Sequence, residues 1–198
     1  MRRRDAALKR ALDLSVAFVG LLLAGWIVLL GWLAARIDTG ESGFFRQPRI
    51  GRDGRPFGVL KLRTMRPVAG LDSTVTAAGD PRITRLGAWL RRTKLDELPQ
   101  LWNVLVGDMS LVGPRPDVPG FADELVGEDR IVLSVRPGIT GPATLAFRDE
   151  EALLAAQDDP ERYNRETIWP EKVRINRAYV ERWRLRDDLR VLWRTLFG

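Results

Sequence analysis

Neither cysteine nor histidine occurs in the 198 residues of this chain. The first absence excludes disulfides and thiol chemistry. The second removes the usual general base near neutral pH, so acid–base work falls to carboxylates, Lys or Tyr. A chain without cysteine agrees with a reducing compartment. Internal repeats and low-complexity tracts are lacking too. With 45% hydrophobic residues the chain can bury one core, which predicts one globular domain plus whatever the N-terminus does. A last absence is local: no charge interrupts the 22 residues from Leu14 to Ala35.

At about 1.5 Å per residue that run reaches roughly 33 Å, enough for a transmembrane helix. It is too long for a signal peptide, and Arg36-Ile37-Asp38 is no small-residue cleavage site. Arg2, Arg3, Arg4, Lys9 and Arg10 precede it, and Arg36, Arg46, Arg49 and Arg52 follow. Positive charge at both ends gives a simple span no preferred direction and favours both ends on the cytoplasmic face. Gly20, Gly25 and Gly31 offer places to bend.

The formal charge of +6 invites a nucleic-acid reading. Its distribution argues otherwise. Residues 1–52 hold nine Lys+Arg against four Asp+Glu, a balance of +5, whereas residues 53–198 hold 23 against 22, a balance of +1. The excess flanks the apolar segment, where an anionic membrane surface would meet it, and no nucleic-acid partner is expected.

The chain is organised around Thr93-Lys94-Leu95-Asp96-Glu97-Leu98-Pro99-Gln100-Leu101-Trp102-Asn103, which runs on through Gly107-Asp108-Met109-Ser110-Leu111-Val112-Gly113 to Pro114-Arg115-Pro116. Proline is tolerated in a helix only in the first turn, so Pro99 places Asp96 and Glu97 at a helix start, where the dipole favours negative charge. An N-cap at Asp96 and a first-turn acid at Glu97 would explain the pair structurally. The alternative comes from the surrounding cations: Arg91, Arg92 and Lys94 before it, and Arg115 between two prolines after it. Carboxylates ringed by cations suit a phosphate handled with a divalent metal.

These two runs resemble, without gaps, the motif of the bacterial monotopic phosphoglycosyl transferases, and the resemblance extends over nearly the whole chain. It implies an enzyme that moves a sugar 1-phosphate from a UDP-sugar to a polyprenol phosphate (undecaprenyl phosphate) and releases UMP, a first membrane step in cell-envelope glycan assembly. By the same resemblance Asp96 is an aspartyl nucleophile, Glu97 is a catalytic residue and Mg²⁺ ligand, and Arg91 and Arg115 serve the phosphates. The Lys61-Leu62-Arg63-Thr64-Met65 stretch lies beside the active site, making Lys61 and Arg63 substrate-binding residues. Arg136, in Val135-Arg136-Pro137-Gly138, is either a phosphate or uridine contact or part of a structural turn.

The resemblance also implies a re-entrant membrane hairpin over residues 1–38, with Ala24-Gly25 standing where the family usually has Ser-Pro. Residues 39–198 are then the catalytic domain, on the cytoplasmic face of the bacterial inner membrane and in contact with its lipids. The expected fold is α+β and predominantly helical, with a β-hairpin and interfacial amphipathic helices.

Along the chain, strands are expected over residues 43–50 and 57–62, joined by an Asp53-Gly54 turn. On the second strand Val59, Lys61 and Arg63 share a face, which a plain reading makes a solvated basic surface. Pro67 to Pro81 reads as a loop, Thr84 to Arg92 as a short basic helix carrying Trp89, and 146–170 as polar and interrupted. Residues 171–197 read as one amphipathic helical stretch, with Trp183 and Trp193 facing either the core or the membrane. An inactive scaffold of the same fold and a tethered nucleic-acid binder remain as other readings, and the sequence leaves homo-oligomerisation open.

Overall fold

The computed structural model describes residues 3–68 and 80–198, so most of the loop expected over Pro67 to Pro81 lies outside the described residues. Among those residues one helix, α1 (Arg3–Thr39), is long and apolar enough to cross a membrane. It runs unbroken through Ala24-Gly25, where the break of the expected hairpin would fall. Glycine permits a bend but keeps its N–H in the ladder, unlike proline, and nothing lies within 4 Å of where a Gly25 side chain would begin. Neither the backbone nor its neighbours impose a kink there.

One stripe of α1 is docked along its length. Lys9, Asp13, Ala17 and Ala35 are buried, and side chains added at Gly20 and Gly31 would meet Leu101 and Leu62 at 3.0 and 2.6 Å. That spacing follows the helical repeat, so small residues let α1 lie flat on the domain. The opposite face exposes Val19, Leu22, Leu23, Trp26, Leu29, Leu30, Leu33 and Ile37.

The hairpin follows as β1 (Phe44–Ile50) and β2 (Pro56–Leu62), antiparallel, with Phe45 opposite Lys61 and Arg46 opposite Leu60. Asp53 and Gly54 both take positive φ, +60° and +76°, which the tight reversal demands. Val59 and Leu62 are each 2% exposed although they face opposite ways. Both sheet faces are therefore covered, and the face shared by Val59 and Lys61 is no solvated basic surface.

Helix α2 (Arg85–Thr93) starts at a Thr84 N-cap whose side chain accepts from Gly87 N–H at 2.8 Å. Helix α3 (Gln100–Val106) leads into β3 (Ser110–Val112), which pairs in parallel with β4 (Gly138–Thr140). Helices α4 (Pro142–Ala146), α5 (Glu150–Ala155) and α6 (Pro160–Tyr163) are short and give order to the interrupted 146–170 stretch.

The C-terminal stretch is two helices rather than one, α7 (Trp169–Glu181) and α8 (Leu185–Phe197). The turn between them lets Trp183 reach inward, donating from Nε1 to Asp188 at 3.0 Å, while Trp193 stays 65% exposed. The core gathers Ala17, Val59, Val104, Met109, Leu111, Val112, Tyr179, Val180 and Val191. It joins α1, the hairpin, α3, β3 and both C-terminal helices.

Candidate active site

At the C-terminus of α2, Lys94 adopts the left-handed conformation with φ of +57°. This ends the helix and starts a 3-10 turn, Leu95–Glu97, closed by Glu97 N–H to Lys94 O at 3.2 Å and Leu98 N–H to Leu95 O at 3.3 Å. Pro99 then leads into α3. The two acids thus sit on a turn between helices, just before the helix they were expected to open. Asp96 caps nothing: its Oδ1 is buried and has no hydrogen-bond partner. A buried carboxylate oxygen without a partner is costly.

Glu97 is held from two sides. Lys61 Nζ on β2 donates to Oε1 at 3.1 Å, and Arg115 donates in a fork, Nη2 to Oε1 at 2.5 Å and Nη1 to Oε2 at 3.3 Å. Arg115 Nη1 also donates to Ile139 O at 3.1 Å, tying the guanidinium to β4. Its backbone is fixed between Pro114 and Pro116. Arg49 on β1 approaches from behind, donating to Pro116 O at 3.3 Å.

Burial raises the proton affinity of Asp96, and the adjacent Glu97 charge adds to it against Lys61, Arg91 and Lys94. Burial would raise Glu97 too, but Arg115 and Lys61 outweigh it and hold that carboxyl well below the usual range. Lys61 is lowered by burial, partly offset by Glu97. Asp117, next to Pro116, is pushed up to about 6 by burial despite Lys172, Arg49 and Arg115 nearby. One carboxylate is thus paired with two cations and held ionised, beside another whose Oδ1 has no hydrogen-bond partner and whose proton affinity is raised.

The structure brings together Asp96, Glu97, Lys61 and Arg115. Arg91 is placed near Asp96, but its guanidinium is paired with Glu151 on α5. Arg63 turns away: its Nε donates to Ser42 O at 2.7 Å and its guanidinium lies 5.5 Å over the Phe45 ring. Arg136 donates to Gly107 O at 2.7 Å, and its charged neighbours are Arg10, Arg52 and Asp13, none of them in this cluster. Arg49 and Asp117 were not singled out from the sequence. The fold places Arg49 on the strand paired with the one bearing Lys61, and Asp117 follows the Pro-Arg-Pro run directly.

Among the described residues no group of three or more acidic, His or Cys side chains gathers to hold a metal. The Asp96 and Glu97 carboxylates on one turn, with Asp96 Oδ1 unpartnered, are an all-oxygen donor set. That is consistent with a hard divalent cation completed by substrate phosphate oxygens.

The family model for bacterial sugar transferases matches residues 4–198, and the chain belongs to that family. It is 37% identical over 192 residues to the UDP-glucose:undecaprenyl-phosphate glucose-1-phosphate transferase of Caulobacter vibrioides, covering 95% of this chain and 68% of that protein. It is 36% identical over 196 residues to the Escherichia coli protein of the same name, covering 96% of this chain and 39% of that one. A Komagataeibacter xylinus undecaprenyl-phosphate glucose phosphotransferase is 36% identical over 200 residues, covering 97% and 36%. The chain thus spans little more than a third of the E. coli and Komagataeibacter proteins.

Proposed function

We propose that this chain transfers a sugar 1-phosphate from a UDP-sugar to a polyprenol phosphate such as undecaprenyl phosphate, releasing UMP, at the cytoplasmic face of a bacterial inner membrane. The observation that carries this reading is the unpartnered Oδ1 of Asp96 beside a Glu97 clamped by Lys61 and Arg115. The activities for which the relatives are named support it.

In the first step an Asp96 oxygen attacks the phosphorus that bears the sugar. The bond to the UMP oxygen breaks, UMP leaves, and an acyl phosphosugar remains on Asp96. In the second step an oxygen of the polyprenol phosphate attacks the same phosphorus, the acyl phosphate bond breaks, and Asp96 is regenerated as a carboxylate. The lipid phosphate is already ionised, so a chain without histidine needs no base for it. Arg115, Lys61 and Arg91 bind the diphosphate oxygens; Arg91 exchanges Glu151 for phosphate as it does so. Glu97 would hold Mg²⁺, which when bound would supply charge neutralisation between the anions.

Residues 1–38 serve as the membrane-inserted segment and 39–198 as the catalytic domain. Both ends of α1 touch that domain: Lys9 meets Asp188, and Asp38 O accepts from Arg66 Nε at 2.9 Å. A helix standing across the bilayer could not hold both contacts. This supports a segment that lies along one face of the membrane, with its apolar side in lipid.

The test is a panel of radiolabelled UDP-sugars assayed with polyprenol phosphate. Lipid-linked label from at least one sugar, lost in Asp96→Asn, is expected. No transfer from any sugar would refute the activity.

A further inference from the structure

Strand β2, which carries Lys61, has two edges. One pairs with β1, and the other faces α3, where the backbone of Gly58 and Leu60 points away from β1. A buried strand edge must find partners. Here one side chain supplies them. Asn103 Oδ1 accepts from Leu60 N–H at 2.9 Å, and its Nδ2 donates to Gly58 O at 2.8 Å. The amide takes the place of a neighbouring strand's backbone. Its second Nδ2 hydrogen goes to Asp108 Oδ2 at 3.3 Å, so every polar group of this 4% exposed side chain is used.

The backbone of Asn103 is committed as well. Its carbonyl accepts from Gly107, Asp108 and Met109 N–H at 3.2, 3.0 and 3.1 Å. This closes α3 and aims the chain into β3, which continues to Arg115. Asn103 therefore ties together three segments: β2 with Lys61, the helix that follows Glu97, and the path to Arg115. The residue after Leu60 is Lys61, and its Nζ meets Glu97 across the same junction.

We propose that Asn103 is a positioning residue of this site: by standing in for a strand along the free edge of β2, it sets Lys61 against Glu97. It touches neither substrate nor reacting atoms and acts through Lys61. The kinetic part of the test rests on the proposed transferase activity, and the labelling part does not.

Full-length protein in detergent or nanodiscs is compared as wild type, Lys61→Ala, Asn103→Ala and the double variant. Asn103→Ala is expected to lower kcat/KM about tenfold or more alone, but about threefold or less when Lys61 is already alanine, because coupled residues are non-additive. Multiplicative losses, or full activity in Asn103→Ala, would overturn the proposal. In parallel, acetic anhydride labelling read by peptide mass spectrometry follows each lysine. Released from Glu97, Lys61 should acylate several-fold faster in Asn103→Ala, while Lys9, buried against Asp188 elsewhere, stays slow. Unchanged Lys61 reactivity, or Lys61 and Lys9 rising together, contradicts it.

If Asn103→Ala does not fold, Asn103→Asp enters the same comparison. It keeps the shape and the acceptor for Leu60, loses the donor to Gly58, and sets a carboxylate against Asp108. The same two readouts then decide. A wild type that transfers nothing would refute the activity and leave the labelling result standing.

Discussion

Nζ of Lys9 lies 2.6 Å from Oδ2 of Asp188, joining residues 179 positions apart in a site where Asp188 is 1% exposed. Asp188 also accepts from Tyr179 Oη at 2.6 Å and Trp183 Nε1 at 3.0 Å, so the start of α1 is locked to both C-terminal helices. Removing one partner of a buried pair leaves an uncompensated charge. Lys9→Met should therefore cost about 3–5 kcal/mol, measured by denaturation in detergent. Lys9→Met with Asp188→Asn should recover part of that. An effect below about 1 kcal/mol for Lys9→Met would show that the latch is not formed.

Arg91 and Glu151 are paired, but Glu151 is half exposed, and such pairs contribute about 0–1 kcal/mol. Glu151→Ala should change stability by less than that and leave transfer within a few-fold of wild type. Arg91→Ala should raise KM for the UDP-sugar by about tenfold or more, since it removes a charge-assisted phosphate contact. Equal, small effects of the two substitutions would mean that Arg91 only holds α5 in place.

Asp117 gives the stability a pH dependence of definite sign. Unfolded, its carboxyl ionises near 3.9. Folded, burial holds it at about 6. Between those values the folded state keeps a proton that the unfolded state has lost, so this group lowers stability as pH rises, and the penalty is complete above about pH 6. Asp117→Asn should therefore be more stable than wild type at pH 7.5, by about 1–3 kcal/mol, and the difference should vanish near pH 4. A variant that is less stable at pH 7.5 would contradict the assignment.

Much of the site was legible because it depends on short-range chemistry. Pro99 located the acids near a helix start, the two prolines marked Arg115 as fixed, and Asp53-Gly54 announced the hairpin. The docking of α1 was not legible, because beyond Asp13 its seam of Ala and Gly is as uncharged as the Leu and Trp facing outward. Lys9 and Arg10, next to an apolar run, read as membrane-flanking charges. In the fold Lys9 is buried, and Arg10 donates to Val104 O at 2.6 Å and Leu105 O at 3.1 Å.

Lys61 and Arg63 looked equivalent by alternation, yet the strand ends between them, and only Lys61 meets Glu97. The break between α7 and α8 carries neither Gly nor Pro. There Trp183 packs against the core and donates to Asp188. Asn103, an amide among apolar residues of a short helix, was not singled out from the sequence, and only the fold shows it on the β2 edge.

The two ends of α1 make a topology prediction. Single cysteines at residues 5 and 42 of this cysteine-free chain should respond alike to an impermeant thiol reagent on intact cells, both protected by a cytoplasmic location. Labelling of one site alone would establish a span and oppose the one-sided insertion.

In the proposed reaction Asp96 carries the sugar phosphate. Its Oδ1 is the buried site oxygen without a partner, and splitting the transfer spares the site from holding two polyanionic substrates in line. Enzyme mixed with UDP-sugar and Mg²⁺, without lipid, is followed by rapid quench and intact mass. A burst of UMP near one equivalent and a mass gain of one sugar phosphate are expected, mapped to Asp96 and absent from Asp96→Asn. No burst and no adduct, with intersecting kinetics when both substrates are varied, would contradict it and mean direct transfer in a ternary complex.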